Sequence, residues 1–418
     1  MGRSDVLRRV RRRTLAAVRR AVEPVESEAL ARFLPAWQGI GRDQGRGIDR
    51  LRDAVSQLQG IALPVEAWES DVLPLRVPGY TPAMLDELTA GGEVVWIGAG
   101  RGRVALYPRS DARLVAQPGL ASEVSHPILD ALRSRGAMFF ADVVAAAGRS
   151  ERETLAELWS LVWEGAVTND AWQPLRSGAT LKAVEELRPG RVGRRTKPTA
   201  SLPAARGRWS LVEGLLQPAP APRERARALA ETLLDRQGIV TRAGVLAEGI
   251  PGGFSAVYGE LRMMEEAGLS QRGYFVEGLG GAQFAVTTAV ERLRDVREAD
   301  PATAPVVLAA VDPANPYGAA LPWPEASRKL ARIAGAWVVL AGGKPALYVE
   351  RGGRGLVTIE PELLEPAIAA LAGLVESGRV RRLAPERVDG EPIGGTEAER
   401  LLLEHGFLQG HRKLVLRA

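Results

Sequence analysis

The sequence predicts an α+β chain of tandem winged-helix domains followed by a small β-barrel-like C-terminal domain. Three observations predict it. A helix–helix–helix–hairpin pattern recurs along the first part of the chain. In each copy the third helix ends at a Gly and a strand-like run follows. From about Pro305 the texture changes to short β-type runs broken by the pairs Gly342-Gly343 and Gly352-Gly353. Helix–helix–helix–hairpin is the winged-helix variant of the helix-turn-helix, and short strands with Gly turns suit a small barrel or curled sheet.

The elements follow in order. Within residues 1–24, the stretch 3–20 carries eight arginines against Asp5, with Val6, Val10, Val18 and Val22 at helical spacing. A basic amphipathic helix is expected. It is either a phosphate-contacting arm, through Arg8, Arg9, Arg11, Arg12 and Arg13, or a solvated terminal helix docked by its apolar stripe.

The first winged-helix domain is expected over 25–110, the second over 122–180 and the third over 221–300. Their third helices and exits are LDELTAGGEVVW from Leu85, LWSLVWEGAVT from Leu158 and LRMMEEAGLSQRGYF from Leu261. A Gly just past a last turn takes the left-handed conformation that other residues resist. Supporting stripes precede them: Leu51, Ala54, Val55 and Leu58; Ile128, Leu129 and Leu132; Ala226, Leu229, Leu233 and Leu234. Thr81-Pro82 opens the first third helix, and Ser150 with Glu153 forms a capping box at the second. Val94–Ile97 with Val104–Tyr107 is one wing, carrying Arg101 and Arg103. Arg272–Val276 with Gln283–Val286 is another.

Residues 181–220 are expected as a basic linker. Between Leu187 and Val212 there is no acid, and Arg191, Arg194, Arg195 and Lys197 stand among Pro, Gly and Ala. Such a segment cannot bury a core; it is a nucleic-acid contact or simply a soluble connection. The β-barrel-like domain occupies 301–418, with strands near 306–311, 336–340, 346–350, 356–360, 379–383 and 413–417 and helices near 363–377 and 396–405.

Composition bounds the chemistry. At 418 residues the chain has room for several domains of ~100–200 residues each. Net charge is +5 and the pI about 9.7, a balance compatible with a polyanionic partner. With no cysteine, disulfides, thiolate catalysis and Cys-based zinc sites are excluded. His126, His405 and His411 are too scattered for a metal site, and no cofactor is expected. No apolar run approaches the ~20 residues of a membrane span, and the N-terminal Arg cluster lacks the apolar core of a secretory signal. A cytoplasmic protein with no membrane partner is the expectation. No G-x-x-x-x-G-K-[ST] loop is present, so an ATPase motor is not expected in this chain.

The third helices carry more acids than bases: Asp86 and Glu87; Glu151, Glu153, Glu157 and Glu164; Glu260, Glu265 and Glu266. Phosphates repel such helices. Either the modules are scaffolding, or binding runs through the wings, the arm, the linker and the clusters Arg379/Arg381/Arg382 and Arg412/Lys413. Trp37, Trp68, Trp96, Trp159 and Trp163 are expected in cores, whereas Trp323, between prolines, is the candidate exposed aromatic. The loop Val311–Gly318 holds Asp312, Asn315 and Tyr317. It can present them to a flipped base, or act as a structural bend.

Seven stretches resemble the C-terminal region of bacterial large helicase-related (Lhr) proteins. They include RFLPAWQGIGR from Arg32, SQLQGIALPVEAWESDVLP from Ser56, GRWSLVE from Gly207 and DPANPYGAALPWP from Asp312. The resemblance implies a DNA-repair context with a superfamily 2 helicase motor upstream or on another chain, DNA as partner, single- or double-stranded, and a homo-oligomer. That region in turn is similar to AlkZ-type winged-helix DNA glycosylases, which use a Gln-x-Gln motif; Gln57-Leu58-Gln59 stands in a similar place. The resemblance therefore also implies a glycosylase for a uracil or alkylated base, with Gln57 and Gln59 as catalytic candidates and Asp312 as the carboxylate. The other reading of the glutamines is a polar helix end. If the motif begins at Gln59, its second position is Ile61 and the pair is lost.

Overall fold

Leu51, Ala54, Val55 and Leu58 recur every three or four residues, and helix Gly47–Leu58 buries all four. This helix belongs to a computed structural model that describes residues 23–41, 45–116, 125–177, 203–298 and 304–418. The basic N-terminal segment with Arg8, Arg9, Arg11, Arg12 and Arg13 lies outside the described residues, as do Arg191, Arg194, Arg195 and Lys197.

In the first module a short strand, Leu63–Pro64, follows that helix, then helical turns over 65–76. The third helix, Pro82–Ala90, starts with Pro at a position where the missing N–H costs nothing. Strands Val94–Gly98 and Arg103–Pro108 pair antiparallel, and Leu63–Pro64 pairs with the second of them. The buried Trp68 indole N–H donates to the Val104 carbonyl at 3.0 Å, fixing the second helix on this sheet.

The second module has helix Pro127–Arg135, strand Met138–Phe139, helix Phe140–Ala147 and third helix Glu151–Trp163. The expected capping box is formed: the Ser150 hydroxyl accepts from the Glu153 N–H, and the Glu153 carboxylate accepts from the Ser150 N–H at 3.2 Å. Strand Val167–Asn169 follows, and its partner is distant in sequence. Arg208–Leu211 pairs with Val167–Asn169 on one side and with Met138–Phe139 on the other. Part of the stretch expected as a linker over 181–220, Arg208–Leu211, is therefore the third strand of this sheet, and the described residues 170–177 and 203–207 lie between two paired strands, where a wing stands. The reason lies in one residue. Trp209 is fully buried against Trp159, edge to face at 5.5 Å, which anchors a strand that its basic, Gly-rich neighbours disguise.

The third module comprises helix Pro222–Gln237, strand Ile239–Val240, helix Arg242–Ala247, third helix Gly253–Glu266 and strands Gln271–Gly273 and Gln283–Ala285. Gln283 is buried; its side-chain oxygen accepts from the N–H groups of Phe275 and Val276, and its NH2 donates to the carbonyls of Val276 and Gly280. One side chain thus holds the whole wing.

The chain divides into two compact units, residues 41–229 and residues 23–40 with 230–418. Helix Ser27–Trp37 lies in the second of these. Its Phe33 and Leu34 share a core with Ile239, Val276, Ala289, Val290 and Leu293, the last three from helix Thr287–Glu298.

The C-terminal part is an open sheet, and among the described residues no closed barrel forms. The order is Val306–Ala309, Trp337–Ala341, Lys344–Val349, Gly355–Thr358, Arg387–Val388 and Glu391–Pro392, antiparallel except for Gly355–Thr358 with Arg387–Val388. Helix Leu364–Glu376 buries Ala367, Ile368, Leu371 and Val375 in the core of this part. The last strands do not return to close the sheet. Arg382–Leu383, Leu408–Gly410 and Lys413–Arg417 form a separate three-stranded sheet. Helix Glu397–Glu404, opened by a Thr396 cap, precedes its hairpin. Among the described residues no helix is long and apolar enough to cross a membrane.

Candidate nucleic-acid interface

A winged helix reads a duplex when its third helix is free to enter the major groove. In the first module it is engaged. The short helix Gln173–Arg176, from the wing segment of the second module, brings Arg176 onto it. Arg176 donates to Glu69 at 2.6 Å, to Asp86 at 2.6 Å and to the Pro82 carbonyl at 2.9 Å. Trp172 and Tyr80 also donate to Glu69, at 2.9 and 2.7 Å. Burial, then the Glu69 carboxylate, pushes the Tyr80 phenol well above its ordinary range, so it stays a donor. For Arg176, burial opposes the charge, but the hydrogen bonds to Glu69 and Asp86 outweigh it and raise the guanidinium above its usual value. The acids at Glu69 and Asp86 are thus counterions for an arginine of the neighbouring module.

In the second module the third helix is engaged at its C-terminal end. The Gly100 N–H, in the first module's wing, donates to the Trp163 carbonyl at 2.9 Å. A Cβ at Gly98 would collide with the Val162 carbonyl, so only glycine permits this approach. The Thr168 hydroxyl donates to the Trp96 carbonyl at 2.5 Å, and the Trp96 indole to the Ala171 carbonyl at 3.1 Å. Of the helix acids, Glu153 serves the capping box and Glu157 pairs with Arg149, with His126 Nε2 at 3.7 Å. In the third module Glu265 pairs with Arg272 of the wing and Glu266 with Arg262.

The first module's wing carries exposed cations. Arg101 and Arg103 are both exposed, and Arg103 donates to the Ala62 carbonyl at 2.6 Å, tying the wing's base to the first strand. In the second module Asp170 and Arg208 pair at 2.7 Å where the wing segment leaves and rejoins the sheet. In the C-terminal sheet Arg381, Arg382 and Arg412 are exposed and Lys413 half-buried.

The loop Val311–Gly318 is a buried knot. Asp312 and Asn315 are 0% exposed and Tyr317 is 7% exposed. Asp312 accepts from the Ala314 N–H, Asn315 accepts from the Tyr317 N–H and donates to the Ala310 carbonyl, and the Tyr317 hydroxyl donates to the Gly343 carbonyl. Arg332, absent from the sequence expectations, donates to the carbonyls of Val311, Asp312, Asn315 and Tyr317. Burial pushes it down to about 10, against the attraction of Asp312. Of the two readings of this loop, the geometry matches the structural bend. In this conformation none of the three side chains meets solvent as a base-binding group would. Trp323 is likewise half-buried, not a free platform. It stacks on Tyr317 at 6.1 Å and meets Tyr348 edge-on at 5.8 Å.

Gln57 and Gln59 end helix Gly47–Leu58. Gln57 is half-buried; Gln59 is 6% exposed, and its NH2 donates to Asp111 at 3.3 Å. The Ser110 hydroxyl donates to the other Asp111 oxygen at 2.8 Å. Asp111, on helix Arg109–Val115, was not a sequence candidate, because only the fold brings it beside Gln59.

Residues 25–109 and 219–305 match family models described as Large helicase-related protein, winged-helix domain. The first and third modules are thus similar to winged-helix domains of large helicase-related proteins. Over 439 residues the chain is 42% identical to the "Lhr helicase/ probable uracil glycosylase" of Mycolicibacterium smegmatis, covering 97% of this chain and 29% of that protein. Over 454 residues it is 37% identical to the "Lhr helicase/uracil glycosylase" of Escherichia coli, covering 96% and 29%. The chain thus spans less than a third of the length of either curated relative. Among solved structures, the Streptomyces sahachiroi DNA glycosylase AlkZ aligns over 84% of this chain and 96% of its own, with 16% identity and a TM-score of 0.43.

Proposed function

We propose that the chain is a nucleic-acid-binding module of a helicase-related DNA repair protein, holding the polyanion through wings and cationic loops rather than through third helices. The observation that carries this is the engagement of the first two third helices in ion pairs and packing within their own unit. The described strands on either side of the basic stretch, Val167–Asn169 and Arg208–Leu211, pair in one sheet, which supports reading that stretch as its wing segment. Neutralising phosphates releases counterions, so the logarithm of affinity falls linearly with the logarithm of salt. Replacing Arg101, Arg103, Arg191, Arg194, Arg195 and Lys197 by Ala weakens duplex binding and flattens that slope by about 1 for each phosphate no longer neutralised. Unchanged affinity and slope would refute the wing reading. The sequence has no phosphate-cradling ATPase loop, so a motor in cis or on a partner chain is the expected companion. Self-association is tested by sizing the protein with and without DNA.

A second reading, excision of uracil, is favoured by the names of both relatives and by the Gln59–Asp111 contact. A carboxylate with both oxygens oriented can activate water or stabilise a sugar cation. Asp111 is therefore the carboxylate to test before the fully buried Asp312. Alkali-labile sites on a uracil oligonucleotide, abolished in Gln59→Ala and Asp111→Asn, are the expected result. Absence of product at enzyme excess retires this reading.

A further inference from the structure

The small C-terminal sheet has two unlike faces. Along Lys413–Arg417, Leu414 and Leu416 turn toward the core, and Lys413, Val415 and Arg417 turn outward. The register extends the outer face to both neighbours. Arg382 stands opposite Arg417, and Leu408 opposite Val415. Two basic clusters far apart in sequence thus become one surface, and the Ala418 N–H bonds to the Arg381 carbonyl beside it.

Among the described residues the cations of this surface, Arg381, Arg382, Arg412, Lys413 and Arg417, form no ion pair, whereas Arg52, Arg113, Arg133, Arg149 and Arg176 do. No acid occurs from Arg379 to Pro385 or from His405 to Ala418. Like charges directly opposite one another destabilise a strand pair, so Arg382 with Arg417 is a local cost that a bound anion relieves. Arg412 at the hairpin tip sits at φ 59, a conformation that few residues other than glycine adopt. Amid these cations Leu408 is 74% exposed.

We propose that this face binds single-stranded nucleic acid, with phosphates on Arg382, Lys413 and Arg417 and with sugars or unstacked bases against Leu408 and Val415. The proposal rests on the nucleic-acid reading above and narrows it to a strand type and a surface. A duplex turns its bases inward and shows this face mainly phosphates. A single strand offers apolar surface between its charges, which is what Leu408 and Val415 match.

The test uses the whole chain and a labelled oligothymidylate of about 20 nucleotides, against a duplex of equal length, from about 50 to about 200 mM salt. The variants are Arg382→Ser/Arg417→Ser and Leu408→Ser, with Arg382→Lys/Arg417→Lys as the conservative control. The double Ser variant is expected to lose about tenfold in oligothymidylate affinity, its log–log salt slope falling by about 1.4, or ~0.7 per phosphate. Leu408→Ser is expected to lose about threefold with the slope kept, because it removes stacking area and no charge. The Lys control should keep the slope, and the duplex should respond less than the single strand. Unchanged oligothymidylate binding, equal losses on both strands, or preference for phosphatidylserine vesicles over oligothymidylate would each overturn the proposal. If wing variants still lose duplex affinity, only this surface has failed. If the unaltered chain binds neither nucleic acid, the nucleic-acid reading has failed with it.

Discussion

The third helices of the first two modules and the outer face of the C-terminal sheet use charge in opposite ways. On the helices, Asp86 is closed by Arg176, Glu153 by its cap and Glu157 by Arg149. On the sheet, Arg382 and Arg417 face each other and, among the described residues, form no ion pair. Charge that serves packing is neutralised within the fold; charge left open is available to a partner. A winged-helix pattern therefore does not by itself say which element meets DNA.

That contrast can be broken from its packing side. Trp159→Ala should have the largest effect, since the side chain is 1% exposed and touches both Trp163 and Trp209. A loss of about 3–5 kcal/mol in urea unfolding is expected, with the Arg208–Leu211 strand losing amide protection first. Arg176→Ala should cost about 2–3 kcal/mol, because Glu69 and Asp86 lose charge-assisted hydrogen bonds. Its duplex affinity, measured on the folded variant, should stay within about twofold at 0.1 M salt, because Arg176 is occupied within the protein and offers no phosphate contact of its own. A stability loss together with a large affinity loss would merge the two roles that the comparison separates. Ser150→Ala should cost about 1 kcal/mol through the lost cap, again with no change in the salt dependence of binding. The wing and sheet variants above should do the converse, losing affinity at constant urea midpoint.

Much of the fold was legible. The stripe Leu51/Ala54/Val55/Leu58, the Pro82 helix start, the Ser150–Glu153 box and the closing strand Lys413–Arg417 all stand where spacing and capping chemistry put them. The candidate site was legible only in part. Arg101 and Arg103 are exposed on a wing, as expected. The Asp312 loop admits two readings from sequence because Pro-stiffened polar residues have the same composition whether they face solvent or the half-buried Arg332 guanidinium. Arg332 decides that, and it arrives from outside the loop. Nothing local marks Arg176, Asp111 or Trp209 either, since each acts on residues distant along the chain.

By itself the sequence determined most of the longer helices, the recurring helix–helix–helix–strand pattern, and that the third helices carry more acids than bases. These follow from periodicity, caps and charge, which operate over a few neighbouring residues. Only the tertiary structure decided that Arg208–Leu211 is a strand paired with Val167–Asn169, that Arg176 closes the first third helix, and that Arg382 meets Arg417. Strand register and ion pairing join residues whose separation along the chain carries no local signal, so they become visible only once the chain has folded back on itself.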